Sequence, residues 1–412
     1  MYAQNGTASP YSYFGIGDLR ATGTVENQMM GGIGVFADSI HVNLQNPAAY
    51  AKLGVQVGDD FGVTVYTAGI SRKEFLLTSA EEEQRTAITN LDYLALAFSV
   101  GKGFGMGFGI MPYTSVGYNL IDARDTGTQP LTNIFTGEGG LNRVYYTLGY
   151  EIIKNVSVGA TVNYNFGTLE SQRLQQIEDV QFGTFDRRSS RVNGFDFNYA
   201  LNYTPTFKNN HVLTASLRVN TQGNLVSQND RTIGSFSVAT GGNIEEINVD
   251  LDAQNLRNTE FKIPTITTIG LGYGKERKWF LGAEYSFQGL SAFENPFLGV
   301  DNIVYNDAST YALGGFIIPE SGSFTSYFKR VTYRAGLRWE KTGMLVNDVD
   351  INNFGITFGL GLPMGRNFSN INLGFELGRR GTTRANLVEE SYFKINLGLS
   401  LNDLWFQKRK IN

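Results

Sequence analysis

Over much of the chain, apolar and polar residues alternate with a period of two. In 392–402 the odd positions are Phe393, Ile395, Leu397, Leu399 and Leu401, and the even ones are Tyr392, Lys394, Asn396, Gly398, Ser400 and Asn402. Successive side chains of a strand point to opposite faces, so this is a strand with one apolar and one polar face. The same alternation runs through Ile371, Leu373, Phe375 and Leu377, and through Phe354, Ile356, Phe358, Leu360 and Leu362. Upstream it recurs from Val156 to Tyr164 and from Phe195 to Tyr203. Runs of about ten residues exceed the roughly five or six usual in soluble sheets.

A soluble sandwich has the same period, so the decision rests on what occupies each face. The polar face is rich in Gly, Asn, Ser and Thr with isolated charges at Glu284, Arg334, Arg338, Glu376 and Lys394. The apolar face carries aromatics near strand ends: Tyr199, Tyr203, Tyr285, Phe287, Tyr333 and Trp339. Lipid outside, a polar lumen inside and aromatic girdles at the interfaces describe a transmembrane β-barrel. The pattern predicts strands at 61–71, 89–101, 103–120, 140–152, 154–170, 189–204, 209–222, 257–275, 278–290, 307–318, 330–341, 351–364, 369–381 and 389–402. That makes fourteen antiparallel strands, an even number as single-chain bacterial barrels require. The strand at 307–318 is demanded by this parity.

Tight connections at Lys102, before Lys154, at 206–210, 275–277 and 364–367 alternate with long ones at 72–88, 121–139, 171–188, 223–256 and 291–306. Short turns on the periplasmic side and long loops outside place both termini in the periplasm of a Gram-negative bacterium. The connection 319–329 is longer than such a turn. Residues 1–60 do not alternate. They are rich in Gly and small residues, and we expect them to form a plug in the lumen of a barrel spanning 61–412.

Composition sharpens this picture. The longest clean apolar runs are pieces such as 94–98, far short of the roughly 20 residues of a spanning helix. Gly numbers 49 and only 17% of residues are charged, against about 25% in ordinary globular chains. With Cys 0, disulfides, thiol catalysis and thiolate metal sites are excluded, and His41 and His211 are the only imidazoles. A formal net charge of −4 without a basic stripe gives nucleic acid no footprint. Met1 to Gln4 lacks a basic and an apolar region; Ala3 fits the stub of a signal peptide.

The segment from Met29 to Tyr50 contains a Gly-rich turn (Gly31, Gly32, Gly34) and the triplet Asn46, Pro47, Ala48 just before the first strand. It resembles the N-terminal hatch of the FadL/TodX-type outer-membrane transporters of long-chain fatty acids and hydrocarbons. The PorV-type barrels, which carry secreted proteins, share that hatch pattern. The resemblance covers the whole chain in architecture and about twenty residues in motif.

Gly103, Gly105, Gly107 and Gly109 fall on the predicted lumen face of the third strand, opposite Phe104, Met106, Phe108 and Ile110, and Pro112 follows in mid-strand. Proline cannot donate to the ladder and a barrel offers no free edge, so the wall must open or kink there. A glycine row lets backbone approach closely or leaves a cavity. This is similar to the strand-three kink of FadL-type transporters, which implies a lateral opening for a hydrophobic solute. The alternative is a row that accommodates the plug and a proline that marks a bulge.

Among the inward charges, Arg334 and Arg338 are candidates to meet a fatty carboxylate, or to pin the plug through pairs with Glu284, Glu376 or Asp38. Phe293, Phe297 and Leu298 make the outer loop 291–306 more apolar than a solvated loop, as a groove for a greasy ligand, a partner contact or simple packing. The run at 81–83 reads as a solvated tip. Catalysis is not expected, because His211 falls at a short turn and His41 in the plug. The glycine row has no following helix, so it is no phosphate loop. No cofactor or metal is expected. The sequence thus predicts a plugged barrel, in contact with outer-membrane lipid and lipopolysaccharide, that admits hydrophobic small molecules. The alternative is a barrel that holds another outer-membrane or secretion protein while its lumen stays closed.

Overall fold

The computed structural model describes residues 6–57, 60–125, 129–299, 302–365 and 369–403. Fourteen antiparallel strands form one closed wall: β1 (Thr64–Thr78), β2 (Glu83–Gly101), β3 (Phe104–Pro112 and Thr114–Asp125), β4 (Pro130–Ile153), β5 (Val156–Ile177), β6 (Phe182–Tyr203) and β7 (His211–Asn220 and Gly223–Ser237). The wall continues through β8 (Asn258–Ile263 and Ile266–Lys275), β9 (Trp279–Gln288), β10 (Ala308–Ile317), β11 (Thr332–Val346), β12 (Val349–Met364), β13 (Ser369–Gly381) and β14 (Glu389–Asp403). Each strand pairs with its sequence neighbour, and β14 closes the ring on β1 from Glu389 opposite Thr78 to Asp403 opposite Thr64. Closure removes the free edges that an open sheet presents.

The usual burial rule is inverted across this wall. Phe195, Tyr199, Leu271, Leu281, Leu313 and Phe358 stand exposed on the outside, whereas Asn165, Thr357 and Asn396 are fully buried within. Apolar side chains outward and polar ones inward are stable only against hydrocarbon.

All fourteen predicted strands are present, but most are longer than the alternation indicates. The stretches 72–88 and 171–188 are largely strand, joined by short turns near 79–82 and 178–181. β4 has 24 residues, roughly 80 Å of strand, whereas a spanning strand needs about 9–11 residues. The excess rises beyond the bilayer, where both faces are polar and the period-two signal fades. The predicted loop 223–256 likewise contains the second segment of β7 and an exposed strand, Asn243–Asn248.

The leader comprises a 3-10 turn (Pro10–Tyr13), a two-residue strand (Asp18–Leu19), a short α-helix (Val25–Gln28), a second 3-10 helix (Pro47–Lys52) and a hairpin of Val55–Val57 with Asp60–Gly62. The predicted boundary at 60 therefore falls inside a hairpin, and the wall begins at Thr64. Leader groups bond to inward side chains on β6, β7, β9, β12, β13 and β14. Examples are Asn46 Nδ2 to Asn202 Oδ1 at 3.1 Å, Gly34 N to Glu284 Oε1 at 3.0 Å and Gly31 N to Thr357 Oγ1 at 3.0 Å. Contacts on so many sides of the ring place the leader within it. Its backbone runs so close to the wall that a Cβ on Gly314 would collide with the backbone of Met30.

Gly314→Val should therefore dislodge the leader, at a cost of about 1–3 kcal/mol. Limited proteolysis of the folded barrel should then cut near Met30, while the wall keeps its heat-modifiable electrophoretic mobility.

Candidate functional site: the lumen and the break in its wall

Strand β3 breaks where the sequence puts Pro112. Its first segment pairs with β2 up to Ile110 opposite Leu94. Its second segment pairs with β4 and, on the inner side, with Asp18 and Leu19 of the leader, opposite Ser115 and Thr114. Among the described residues, Glu83 to Tyr93 of β2 therefore has no ladder partner on the β3 side. The resulting breach is a cavity of about 540 Å³ lined by Leu91, Ile110, Pro112, Ser115, Glu138 and Glu170 among others. Gly6 also lines it, its carbonyl accepting from Asn90 Nδ2 at 3.0 Å and Arg20 Nη1 at 2.9 Å.

The glycine row does not line an open path. Gly105 lies against the backbone of Tyr50, a Cβ on Gly107 would sit 2.6 Å from the Tyr50 ring, and one on Gly109 would sit 2.8 Å from the Tyr145 ring. Gly103 belongs to the tight turn, at φ +78°, beside Glu151 rather than in the row. Three of the four glycines thus make room for aromatic rings and leader backbone. Nothing in the sequence pattern singles out Tyr50 for that place.

The lumen charges find partners within the protein. Arg334 donates to Asn372 Oδ1 at 2.9 Å, and Asn372 in turn donates to Glu26 of the leader at 2.8 Å. Arg338 pairs with Glu376 at 2.7 Å. Both arginines offered by sequence as carboxylate partners are already engaged. Arg143 with Asp196 at 2.7 Å and Arg218 with Glu284 at 2.5 Å were not foreseen, and Lys394 reaches Gln28 at 2.9 Å. Arg143, Asp196, Arg218, Glu284, Arg338 and Glu376 line a cavity of about 480 Å³, whereas Arg334 does not. A buried pair broken on one side costs about 3–5 kcal/mol, so these charges are poorly placed to trade partners with a passing ligand.

At the tall rim the apolar loop turns inward. Phe293 and Phe297 are buried and Leu298 is half-buried, so they form no surface groove. Phe293 packs edge-on against Tyr305 and Phe261, in a cluster with Ile16, Tyr113, Leu141 and Leu225. A second cluster joins Tyr11 and Phe14 to Met344, Val346 and Ile351. Tyr13 lies between the two, with Tyr118 and Phe135 rings 5.1 and 5.8 Å away. Tyr11, Tyr13, Phe14 and Ile16 thus fill apolar space at the mouth.

The hatch motif builds the seat of the leader. Gly31 and Gly32 take φ of +70° and +86°, a backbone region open to glycine, while Gly34 donates to Glu284 as noted. Fully buried Asn46 bonds β6 and β7, and Pro47 and Ala48 open the second 3-10 helix against Gly149 and Gly159. Nearby, His41 Nδ1 lies 2.6 Å from Asp38 Oδ2. Burial disfavours both charges, but each group's charge and hydrogen bond outweigh that, raising the His41 pKa and lowering that of Asp38. Among the described residues, no group of three or more His, Asp or Glu side chains is placed to hold a metal.

The chain is similar in fold to the Pseudomonas putida toluene transporter TodX, at 14% identity and TM-score 0.59 over 94% of this chain and 99% of that one. It is also similar to the Ralstonia pickettii toluene transporter TbuX, at 14% and 0.57 over 92% and 98%. A Pseudomonas aeruginosa FadL homologue matches at 11% and 0.55 over 94% and 98%. The FadL-type architecture expected from the hatch is the one found. No curated protein matches the sequence. The BamG family matches residues 1–412, and the chain belongs to that family.

A raised His41 pKa stabilises below its unfolded value near 6.5 and loses that contribution as pH rises through the folded pKa; the depressed Asp38 loses its own contribution only in acid. Protection of the amides over 38–54, measured against their intrinsic base-catalysed exchange rates, should therefore fall as pH is raised from mildly acidic to alkaline. His41→Gln should abolish that step.

Proposed function

We propose that this barrel is a holding or assembly subunit: the leader before Thr64 plugs the lumen, and the strands from Thr64 to Asp403 form an outer-membrane wall whose tall rim engages a protein partner. The short turns and both termini face the periplasm. The reading rests on the leader's apolar residues at the mouth. Tyr11, Tyr13, Phe14 and Ile16 occupy the apolar space at the tall rim that a hydrophobic solute would need, together with Phe293. The charges of the lumen, Arg334 and Arg338 included, are spent on the leader and on each other. No step in this role needs a catalytic residue or a cofactor.

The second reading is uptake of a hydrophobic compound, favoured by the breach at Pro112. In that case Leu91 and Ile110 mark the exit towards lipid, and the leader residues 10–16 have to move to admit the solute. The toluene transporters named above share the fold, and their substrates suggest the class of compound.

Native mass spectrometry after gentle extraction from the protein's own outer membrane separates the readings. A stoichiometric protein complex is expected; a single chain carrying a hydrocarbon-like adduct would overturn the holding role. Pro112→Ala should lower uptake of a radiolabelled fatty acid if the breach is an exit, and unchanged uptake would sink the second reading.

A further inference from the structure

Between Ile318 and Val331, at the short-turn rim, the chain leaves the sheet for a structured excursion. Ile318 N donates to Lys278 O at 2.7 Å, level with the tight turn between β8 and β9, and Glu320 N donates to Lys329 O at 2.8 Å across the base of the loop. Lys329 pairs with Glu320 at 3.0 Å, and the Arg330 guanidinium lies 5.3 Å over the Tyr327 ring. The Tyr327 hydroxyl donates to Pro363 O on β12 at 3.2 Å, and the Tyr333 hydroxyl donates to Phe328 O at 3.1 Å. A loop tied down at this many points is a built surface.

What it presents is aromatic. Phe324 is 104% exposed and Phe328 72% exposed. Large rings held open to water on an ordered loop imply something that covers them. The loop's own anchors indicate the direction. Tyr333 stands on the lipid face of β11, and Leu362 and Met364, flanking Pro363, continue the outward row of Phe354 and Phe358 on β12. The loop is thus continuous with the hydrocarbon-facing band and lies where that band ends. Aromatic rings with one wet end belong at such an interface, and exposed Arg330 stands ready for lipid phosphate.

We propose that Phe324, Tyr327 and Phe328 form an interfacial foot seated in the headgroup layer of the leaflet at the short-turn rim. The foot fixes the depth of the β10–β12 side of the wall. It is independent of whether the tall rim holds a protein or the breach passes a solute.

The chain has Cys 0, so Phe324→Cys gives a single labelling site. The labelled protein, carrying an environment-sensitive fluorophore, is inserted into phosphatidylethanolamine–phosphatidylglycerol vesicles containing doxyl-labelled lipid. Glu245→Cys serves as the aqueous control, because Glu245 is an exposed side chain on the loop strand Asn243–Asn248. Doxyl lipid should quench position 324 several-fold more than 245, and iodide should spare it. Equal iodide quenching at both positions with no doxyl quenching at 324 would overturn the proposal and point to a protein as the cover. Heat-modifiable mobility verifies folding, and Phe328→Cys repeats the measurement if the first variant does not fold.

Discussion

A backbone N–H or C=O inside hydrocarbon has no water to turn to, and the form of this protein follows from that demand. It requires the ladder from β1 to β14 to close, and it makes any interruption costly. The interruption at Pro112 is tolerated because the leader and β4 supply substitutes. Arg20 N donates to Tyr113 O at 2.9 Å, Tyr113 N donates to Leu141 O at 2.7 Å, and Asp18 and Leu19 pair with the inner side of β3. Wall and leader are therefore one hydrogen-bonded system at the point where the wall is weakest.

The same demand governs the interior. A lumen lined with Asn, Thr, Arg and Glu is satisfied only if filled by water or by matching polar groups, and the leader provides many of the latter. Its apolar residues are segregated from these: Met29 and Tyr50 press against wall glycines, and Tyr11 to Ile16 fill the tall mouth. The result is a barrel in which leader and wall share a lumen that still holds a cavity of about 480 Å³.

Period-two alternation made the strands in the membrane legible because lipid and lumen impose opposite demands on adjacent residues. Above the membrane, at Gln172 or Arg187 for instance, water meets the wall and the alternation no longer marks strand. The break at Pro112 was legible because proline has a fixed chemical disability. The second interruption, at Pro264 between the two segments of β8, obeys the same logic and falls inside the predicted strand 257–275. What fills the glycine row was not legible at all: Tyr50 is about sixty residues away in sequence, and alternation carries no information about which ring meets which gap. The pair of Arg338 with Glu376 and the inward packing of Phe293 were each one of two readings the sequence left open, because inward charge and loop hydrophobicity do not say which neighbour lies opposite.

Several bonds that seat the leader reach across nearly the whole chain. Ser9 meets Glu390, separated by 381 positions, and Lys394 meets Gln28 across 366. Contacts of such separation form late and slowly, because a long loop must be closed before they yield anything. The strands that receive them, β13 and β14, are also the last to be made. The first residues of the chain must therefore wait, partly unsatisfied, for the final ones, and the ring has to shut around its own beginning. Biogenesis is then a question of timing: whatever brings the ends of the wall together must do so while the leader is already threaded between them.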